Sequence, residues 1–342
     1  MREKVFYYKG AIHIHSRYSD GSGGLRHIVK SGRKAGLNFL IITDHNHLRL
    51  KEKGAEGWYR NLLVLVGEEV SHSDQHLLAV NVSEAIPEDL SPERSAHEVH
   101  RQGGLAFVAH PDGRYRFLWR HRDQRWKSWD VPHLHGMEVW SYMFDWIEEV
   151  TPFNLLYYLF RPDEAIQGPR PETLERWDRF NSGRRFVGIA GVDAHARGIY
   201  PLQIFPYRHL FRRLVTYVFS EEPLSRDSAL ASQQVRNLLE RGRCYLAFEK
   251  LAPAAGVRFE ILGNGSRAQM GDRIPFTSGL ELRMELGRRA DFRLLRNGGE
   301  FFRATGRRWT MPVPGPGVYR LEARLNRKPW LFTNPIVVEE TA

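Results

Sequence analysis

The sequence predicts a barrel-like α/β fold followed by a small antiparallel β-sandwich. Over residues 1–250, short apolar runs alternate with amphipathic stretches, and the unit recurs six or seven times. A continuous apolar run marks a strand covered on both faces, as parallel strands flanked by helices are. That many repeats favour a closed arrangement over an open sheet. After Lys250 the helical period gives way to short alternating runs, so residues 251–342 form a second unit.

In order, Gly10 to His15 reads as a strand, with Ala11, His13 and His15 alternating onto one face. Leu25 to Ala35 reads as a helix stopped by Gly36. Phe39 to Thr43, Leu62 to Val66 and His76 to Val82 read as strands. Ser91 to Gln102 is a helix ended by Gly103 and Gly104. Leu105 to Ala109, Gly136 to Trp140 and Phe186 to Ala190 complete the series. Pro152 to Phe160 is short and very apolar, and reads as a buried helix or a lid ahead of an interfacial patch. In the tail, Val257 to Leu262, Leu280 to Leu286, Phe292 to Arg296 and Val318 to Leu325 alternate as half-buried strands do. Leu251 to Gly256 is the expected linker.

The formal charge is +10, from 50 Lys and Arg against 40 Asp and Glu. Such a surface attracts phosphates or nucleic acid, although its ordinary meaning is a solvated, arginine-biased exterior. The single cysteine, Cys244, excludes an internal disulfide and a cysteine-rich zinc site. It fits a reducing compartment and reads as a buried apolar residue. No segment approaches a membrane span and no signal peptide is visible, so a cytoplasmic location is expected.

Nearly every apolar strand ends in a metal-competent residue. His13 and His15 end the first, with Asp20 five residues on in a turn. His45 ends the second, Glu68 and Glu69 the third, His110 the fifth, and Asp193 and His195 the last. His76 opens the fourth. In a parallel barrel these ends gather at one mouth. Nine nitrogen and oxygen ligands exceed what one tetrahedral ion uses, so two or three ions are expected. Histidine with carboxylate suits zinc, manganese or iron rather than calcium. His27, His47, His72, His97, His100, His121, His133, His135 and His209 read as ordinary structural or surface histidines.

In this order, His13-Ile-His15, Ser19-Asp20-Gly21, Thr43-Asp44-His45, Gly67-Glu-Glu69, His110-Pro111 and Asp193-Ala-His195 resemble the motifs of the PHP superfamily, named for polymerase and histidinol phosphatase domains. The resemblance covers roughly residues 8 to 220. Ser-Asp-Gly after His-x-His is similar to the branch of small phosphoesterases acting on nucleotides and short RNA; the histidinol phosphatase branch tends to carry His in place of Asp20.

The resemblance implies a distorted (β/α)7 barrel and a trinuclear site of Mn²⁺, Zn²⁺ or Fe²⁺. His13, His15, Glu69 and Asp193 would hold one ion; Glu69, His76 and His110 a second; Asp20, His45 and His195 a third. Glu68 and His72 are the alternatives to Glu69 and His76. The implied activity is hydrolysis of a small phosphomonoester or nucleotide by a metal-bound hydroxide, with Asp193, Glu69 and His195 as catalytic residues. Arg114 and Arg197 are the expected phosphate clamps. Trp330 to Val338 is similar to the closing strands of β-sandwich tails attached to some PHP proteins.

Three other readings stay open: a 5′-to-3′ exonuclease on short RNA or DNA, with Trp119, Trp126 and Trp129 as stacking residues; a metal-stabilised scaffold whose β-sandwich binds a partner or polymer, without catalysis; and hydrolysis of a C–N bond by the same metal-hydroxide chemistry, since the ligands do not encode the leaving group. Phe117 to Trp129, rich in Arg and Trp, reads as a lid or specificity insertion.

Overall fold

The computed structural model describes residues 4–114, 123–197 and 203–340. The chain is a mixed α/β protein with a large sheet containing parallel and antiparallel pairings. Strands β1 (Phe6–Ile12), β2 (Phe39–His45), β3 (Gly57–Tyr59), β4 (Leu62–His72), β5 (Gln75–Val80), β6 (Leu105–Val108), β7 (Leu134–Ser141), β8 (Val187–Gly191), β9 (Leu214–Ser220) and β10 (Cys244–Phe248) form the first part. Among them run α1 (Leu25–Ala35), α2 (Arg49–Glu52), α3 (Pro92–Arg101), α4 (Tyr142–Glu149), α5 (Leu155–Phe160), α6 (Pro171–Gly183), α7 (Tyr207–Leu210) and α8 (Ser228–Glu240).

The pairs β1–β2, β2–β4, β6–β7 and β7–β8 are parallel. Contrary to the all-parallel expectation, β4–β5 and β5–β6 are antiparallel. The reason is local: only Ser73 and Asp74 separate β4 from β5, and Ser73 takes a left-handed φ of 50°. A parallel return needs a crossover of a dozen or more residues. After β8 the backbone bonds back to the end of β1 and the residues just after it, with Val192 N–H donating to Ile12 O and His15 N–H to Ala194 O.

Strands β1, β2, β4, β5, β6 and β8 each send alternate side chains into two cores. Ile12, Ile41, Leu65, Leu78, Phe107 and Ile189 share one with Ala231, Val235 and Leu239 of α8. Ala11, Leu40, Val64, Ala79, Val108 and Ala190 enter the other. This two-sided burial is why these strands read as unbroken apolar runs.

The tail comprises β11 (Arg258–Gly263), β12 (Ser266–Gln269), β13 (Arg273–Pro275), β14 (Glu281–Arg296), β15 (Gly299–Pro312), β16 (Gly317–Leu325), β17 (Lys328–Thr333) and β18 (Ile336–Glu339). Its pairings are antiparallel except β13–β18. The two alternating runs Leu280 to Leu286 and Phe292 to Arg296 are one long strand, β14, with its register shifted between Glu285 and Ala290. The arginine-rich β15 pairs with it.

The sheet continues into the tail, because β10 pairs antiparallel with β17. Buried Arg320 of β16 donates to both oxygens of Asp178 on α6, at 2.7 Å each, and lies over the Trp177 ring. Asn334 exchanges hydrogen bonds with the backbone of Gly188.

Two other expectations change. β1 ends at Ile12, and His13 turns out of the strand with φ 71°, so His13 and His15 do not alternate along one strand. The Pro152 to Phe160 segment has no buried residue in its helix α5. Among the described residues, no helix is long and apolar enough to cross a membrane. Cys244 is buried, which pushes its thiol pKa upward.

Candidate metal centre

The side chains named from the strand ends meet at one mouth. Glu69 is the hub and is fully enclosed. Its Oε2 lies 3.0 Å from His13 Nε2, 3.1 Å from His15 Nε2 and 3.4 Å from His45 Nδ1. Its Oε1 lies 2.8 Å from His76 Nδ1 and 3.2 Å from His110 Nε2. Asp193 Oδ1 is 3.4 Å from His13 Nε2, His15 Nε2 and His195 Nδ1. Asp20 Oδ1 is 3.0 Å from His195 Nε2 and 3.7 Å from His45 Nε2.

Three sets among the described residues bring their ligand atoms within 4.8 Å of one another: His15, Asp20, His45 and His195; His13, His15 and Asp193; and His13, Glu69 and His110. The donors fit divalent ions. His13 Nε2 and His15 Nε2 are buried and make no hydrogen bond, although carboxylate oxygens lie 3.0 to 3.1 Å away. Ligands about 2.0–2.2 Å from a tetrahedral ion stand roughly 3.3 Å apart, so such spacing without hydrogen-bond direction is that of neighbours around a shared cation.

The backbone is strained where the ligands sit. His13, His110 and Asp193 all have positive φ, at 71°, 27° and 46°. Such conformations cost about 1–3 kcal/mol each and persist where the surroundings over-determine them. Here the turns re-aim side chains from strand ends into one cavity.

Several supporting residues were not legible as such. Glu138, on β7, accepts from His13 Nδ1 at 2.7 Å and from the His110 backbone N–H at 2.8 Å. That contact sets the His13 tautomer and leaves Nε2 for a ligand. Asp44 accepts from Ser16 N–H, Ser16 Oγ and Ser19 Oγ, bracing the loop that carries Asp20. Tyr207 donates to His15 O, and His45 Nδ1 lies 2.8 Å from Ser71 Oγ. In the sequence, Glu138 and Trp140 end an apolar strand, and Glu138 reads there equally as a pocket residue or a structural one.

The two open alternatives separate by geometry. Glu68 faces away from the mouth, accepting from Ile86 N–H, and burial pushes its pKa up to about 7. His76 lines the cavity and His72 does not. Arg197 lines it too, with Nη2 2.6 Å from Asp20 Oδ2. Arg114 does not line it; its backbone N–H donates to Glu148. Trp126 is buried rather than open for stacking, and Trp129 lies under the Arg176 guanidinium. Trp119, His121 and residues 117–122 of the expected lid lie outside the described residues.

Electrostatics follow from this packing. Burial disfavours a charged His13, but Glu69, Glu138 and Asp193 outweigh it and raise its pKa well above the usual value. His15 is raised to about 9 by Asp193 and Glu69 against the same burial. Burial alone would raise the Glu69 and Asp193 carboxyls, yet the surrounding imidazoles hold both well below the carboxylate range. His45 is lowered to about 4, chiefly by burial. With no ion bound, protons on His13 and His15 therefore balance the carboxylates at neutral pH. A divalent ion must displace them, so binding near pH 7.5 should release about two protons. Calorimetry in buffers of different ionisation enthalpy reads that number, and apparent affinity should climb from pH 6 to about pH 9. Affinity independent of pH over that span would contradict the assignment.

Gly191 ends β8 against Glu138. A Cβ there would lie 1.7 Å from Glu138 Oε1. Gly191→Ala should push the carboxylate off His13 and weaken metal affinity about 10- to 100-fold, as loss of an orienting partner does. A metal titration with unchanged affinity would show that Glu138 has no such role.

No protein-family model matches the chain. Among solved structures it is similar to a two-domain protein from Bacteroides vulgatus containing a predicted PHP-like metal-dependent phosphoesterase. The TM-score is 0.50 at 17% identity, covering 97% of this chain and 95% of that one. The likeness is one of fold. The chain is also 32% identical over 116 residues to an uncharacterized protein of Methanocaldococcus jannaschii, covering 30% of this chain and 67% of the relative. It belongs to one family with that archaeal protein.

Proposed function

We propose that this chain is a metal-dependent phosphoester hydrolase acting on a small phosphorylated substrate. The observation that carries the reading is Glu69, one carboxylate whose two oxygens face five imidazoles from different strand ends. A carboxylate with imidazoles facing both of its oxygens suits a cluster of cations that it would help to hold. His13, His15, Glu69 and Asp193 would hold one ion, Glu69, His76 and His110 a second, and Asp20, His45 and His195 a third. On the same reading the first part, 1–250, is a distorted seven-stranded barrel, supported by the bonds from Val192 to Ile12 of β1 and from Ala194 to His13 and His15 just after it, and 251–342 is a β-sandwich unit.

Bound divalent ions would supply an activated water at neutral pH and offset charge on the phosphoryl oxygens. The protein's own groups do the rest. Asp20, His45, His195 and Arg197 form the open side of a cavity of about 330 Å³, whereas His13, His15 and Glu69 are enclosed. Substrate therefore meets Asp20 and Arg197 first. The Arg197 guanidinium, oriented by Asp20, binds a phosphoryl oxygen. Asp193, held ionised, accepts a proton at Oδ1 from the attacking water. Glu138 keeps the His13 ring from rotating.

The test is elemental analysis of the purified chain, then a panel of nitrophenyl phosphate, nucleoside mono- and bisphosphates, histidinol phosphate and short RNA with Mn²⁺ or Zn²⁺. At least two ions per chain and turnover of a small phosphoester are expected. Less than one ion, with no turnover after metal addition, would overturn the reading.

A further inference from the structure

The segment between β7 and β8 carries an apolar surface that the metal centre does not use. Phe153 is fully exposed and Phe160 is 85% exposed, with Leu156, Tyr157 and Leu159 between them also open. Single exposed apolar side chains are ordinary; five within eight residues form a patch that marks an interaction site.

The support beneath this patch is well bonded. Trp146 Nε1 donates to Tyr158 O, and Asn154 Nδ2 donates to Glu149 O. Asp163, just after α5, accepts from Tyr142 Oη and Arg213 Nε. The apolar side chains therefore point outward from a held backbone.

Cations border the patch. Arg161 lies against the Tyr157 ring. Asp163 also stands 3.7 Å from His209 and 3.9 Å from Lys250, which brings the α7 turn alongside. On that turn Arg208 and Arg212 are exposed and, among the described residues, have no carboxylate partner. The two acids that follow α5 are engaged elsewhere, Asp163 by Arg213 and Glu164 by Lys328.

We propose that this surface docks the chain on an anionic phospholipid bilayer. The apolar side chains between Phe153 and Phe160 enter the boundary between headgroups and acyl chains, and Arg161, Arg208 and Arg212 meet lipid phosphates. Apolar insertion plus basic residues is the pair of signals that holds a protein at such an interface. A second copy of the chain fits less well, because two-fold contact would bring identical arginine borders together. The patch also shares its support with the metal centre. Phe205 packs edge-on against Trp146 at 4.8 Å, and the neighbouring Ile204 N–H donates to Arg197 O. Docking therefore holds the open side of the centre near the headgroups. The proposal does not depend on what the centre hydrolyses.

The experiment is sedimentation of the full chain with phosphatidylcholine vesicles, with and without phosphatidylserine. Binding to the phosphatidylserine vesicles is expected, weaker on phosphatidylcholine alone and reduced by salt. Phe153→Ser with Phe160→Ser should weaken it at least about tenfold while circular dichroism and metal uptake stay unchanged. Arg208→Glu with Arg212→Glu should remove the preference for phosphatidylserine. No sedimentation with either vesicle overturns the proposal. So does undiminished binding by the serine pair, or a wild-type dimer in analytical ultracentrifugation that the serine pair turns into monomer.

Discussion

Replacing Glu69 by glutamine is expected to empty the metal centre and lower phosphoester turnover by about a thousandfold or more, the scale of several kcal/mol of lost transition-state stabilisation. The amide keeps the shape of the side chain but turns one oxygen into a donor. Glu69 Oε1 faces His76 and His110, and Oε2 faces His13, His15 and His45, so either orientation of the amide spoils one set. There is also a signature without metal. The Glu69 pKa is depressed in the folded chain, so its ionised form stabilises the fold above the usual carboxylate range, and that contribution is lost as pH falls through the folded value. The Gln variant lacks it, and His13 loses one of the charges that raise its pKa. The metal-free variant should therefore melt below the wild type at neutral pH, with the gap closing in acid. Full metal content together with wild-type turnover would remove Glu69 from the centre.

The second large effect is expected from Asp193→Asn. Turnover should fall by at least about a hundredfold, since the residue that accepts a proton in the proposed reaction is gone. The fold should survive for a specific reason. Asp193 has a φ of 46°, and asparagine tolerates the left-handed region better than most residues. The carbonyl of an asparagine still faces His13, His15 and His195, so part of the metal content should remain. Rates and metal content measured on the same preparation separate the two roles. Wild-type-like turnover with metal retained would sink the proposed proton transfer.

Much of this centre was legible before any coordinates. His45, His110, Asp193 and His195 stand at the ends of runs such as Phe39 to Thr43 and Phe186 to Ala190, and those runs are strands. Strand ends converge, so residues far apart in sequence become neighbours. The helices α1 and α3 were readable from Gly36, which caps with φ 73°, and from Ser91, whose Oγ accepts from Arg94 N–H.

What sequence could not decide depends on side chains meeting across the fold. Glu68 and Glu69 are adjacent carboxylates, and only the alternation of β4 sends one to the imidazoles and the other to Ile86 N–H. Glu138, at a strand end, read equally as a pocket residue or a structural one, and only the fold closes His13 and His110 on it. Arg114 and Arg197 looked equivalent, but only Arg197 is brought to Asp20. The apolar Pro152 to Phe160 segment read as a buried helix or a lid ahead of an interfacial patch, because apolar content reports what a segment is able to bury, not whether a neighbour is there to cover it.

The amino-acid sequence by itself thus determined the α/β repeat and which imidazoles and carboxylates stand at strand ends, since both are written in local period and in residue type. Only the tertiary structure decided which oxygen faces which imidazole, which arginine reaches the mouth, and which apolar face stays open. The contacts of His13 with Glu138 and of Arg197 with Asp20 join residues more than a hundred positions apart, and no local pattern encodes them.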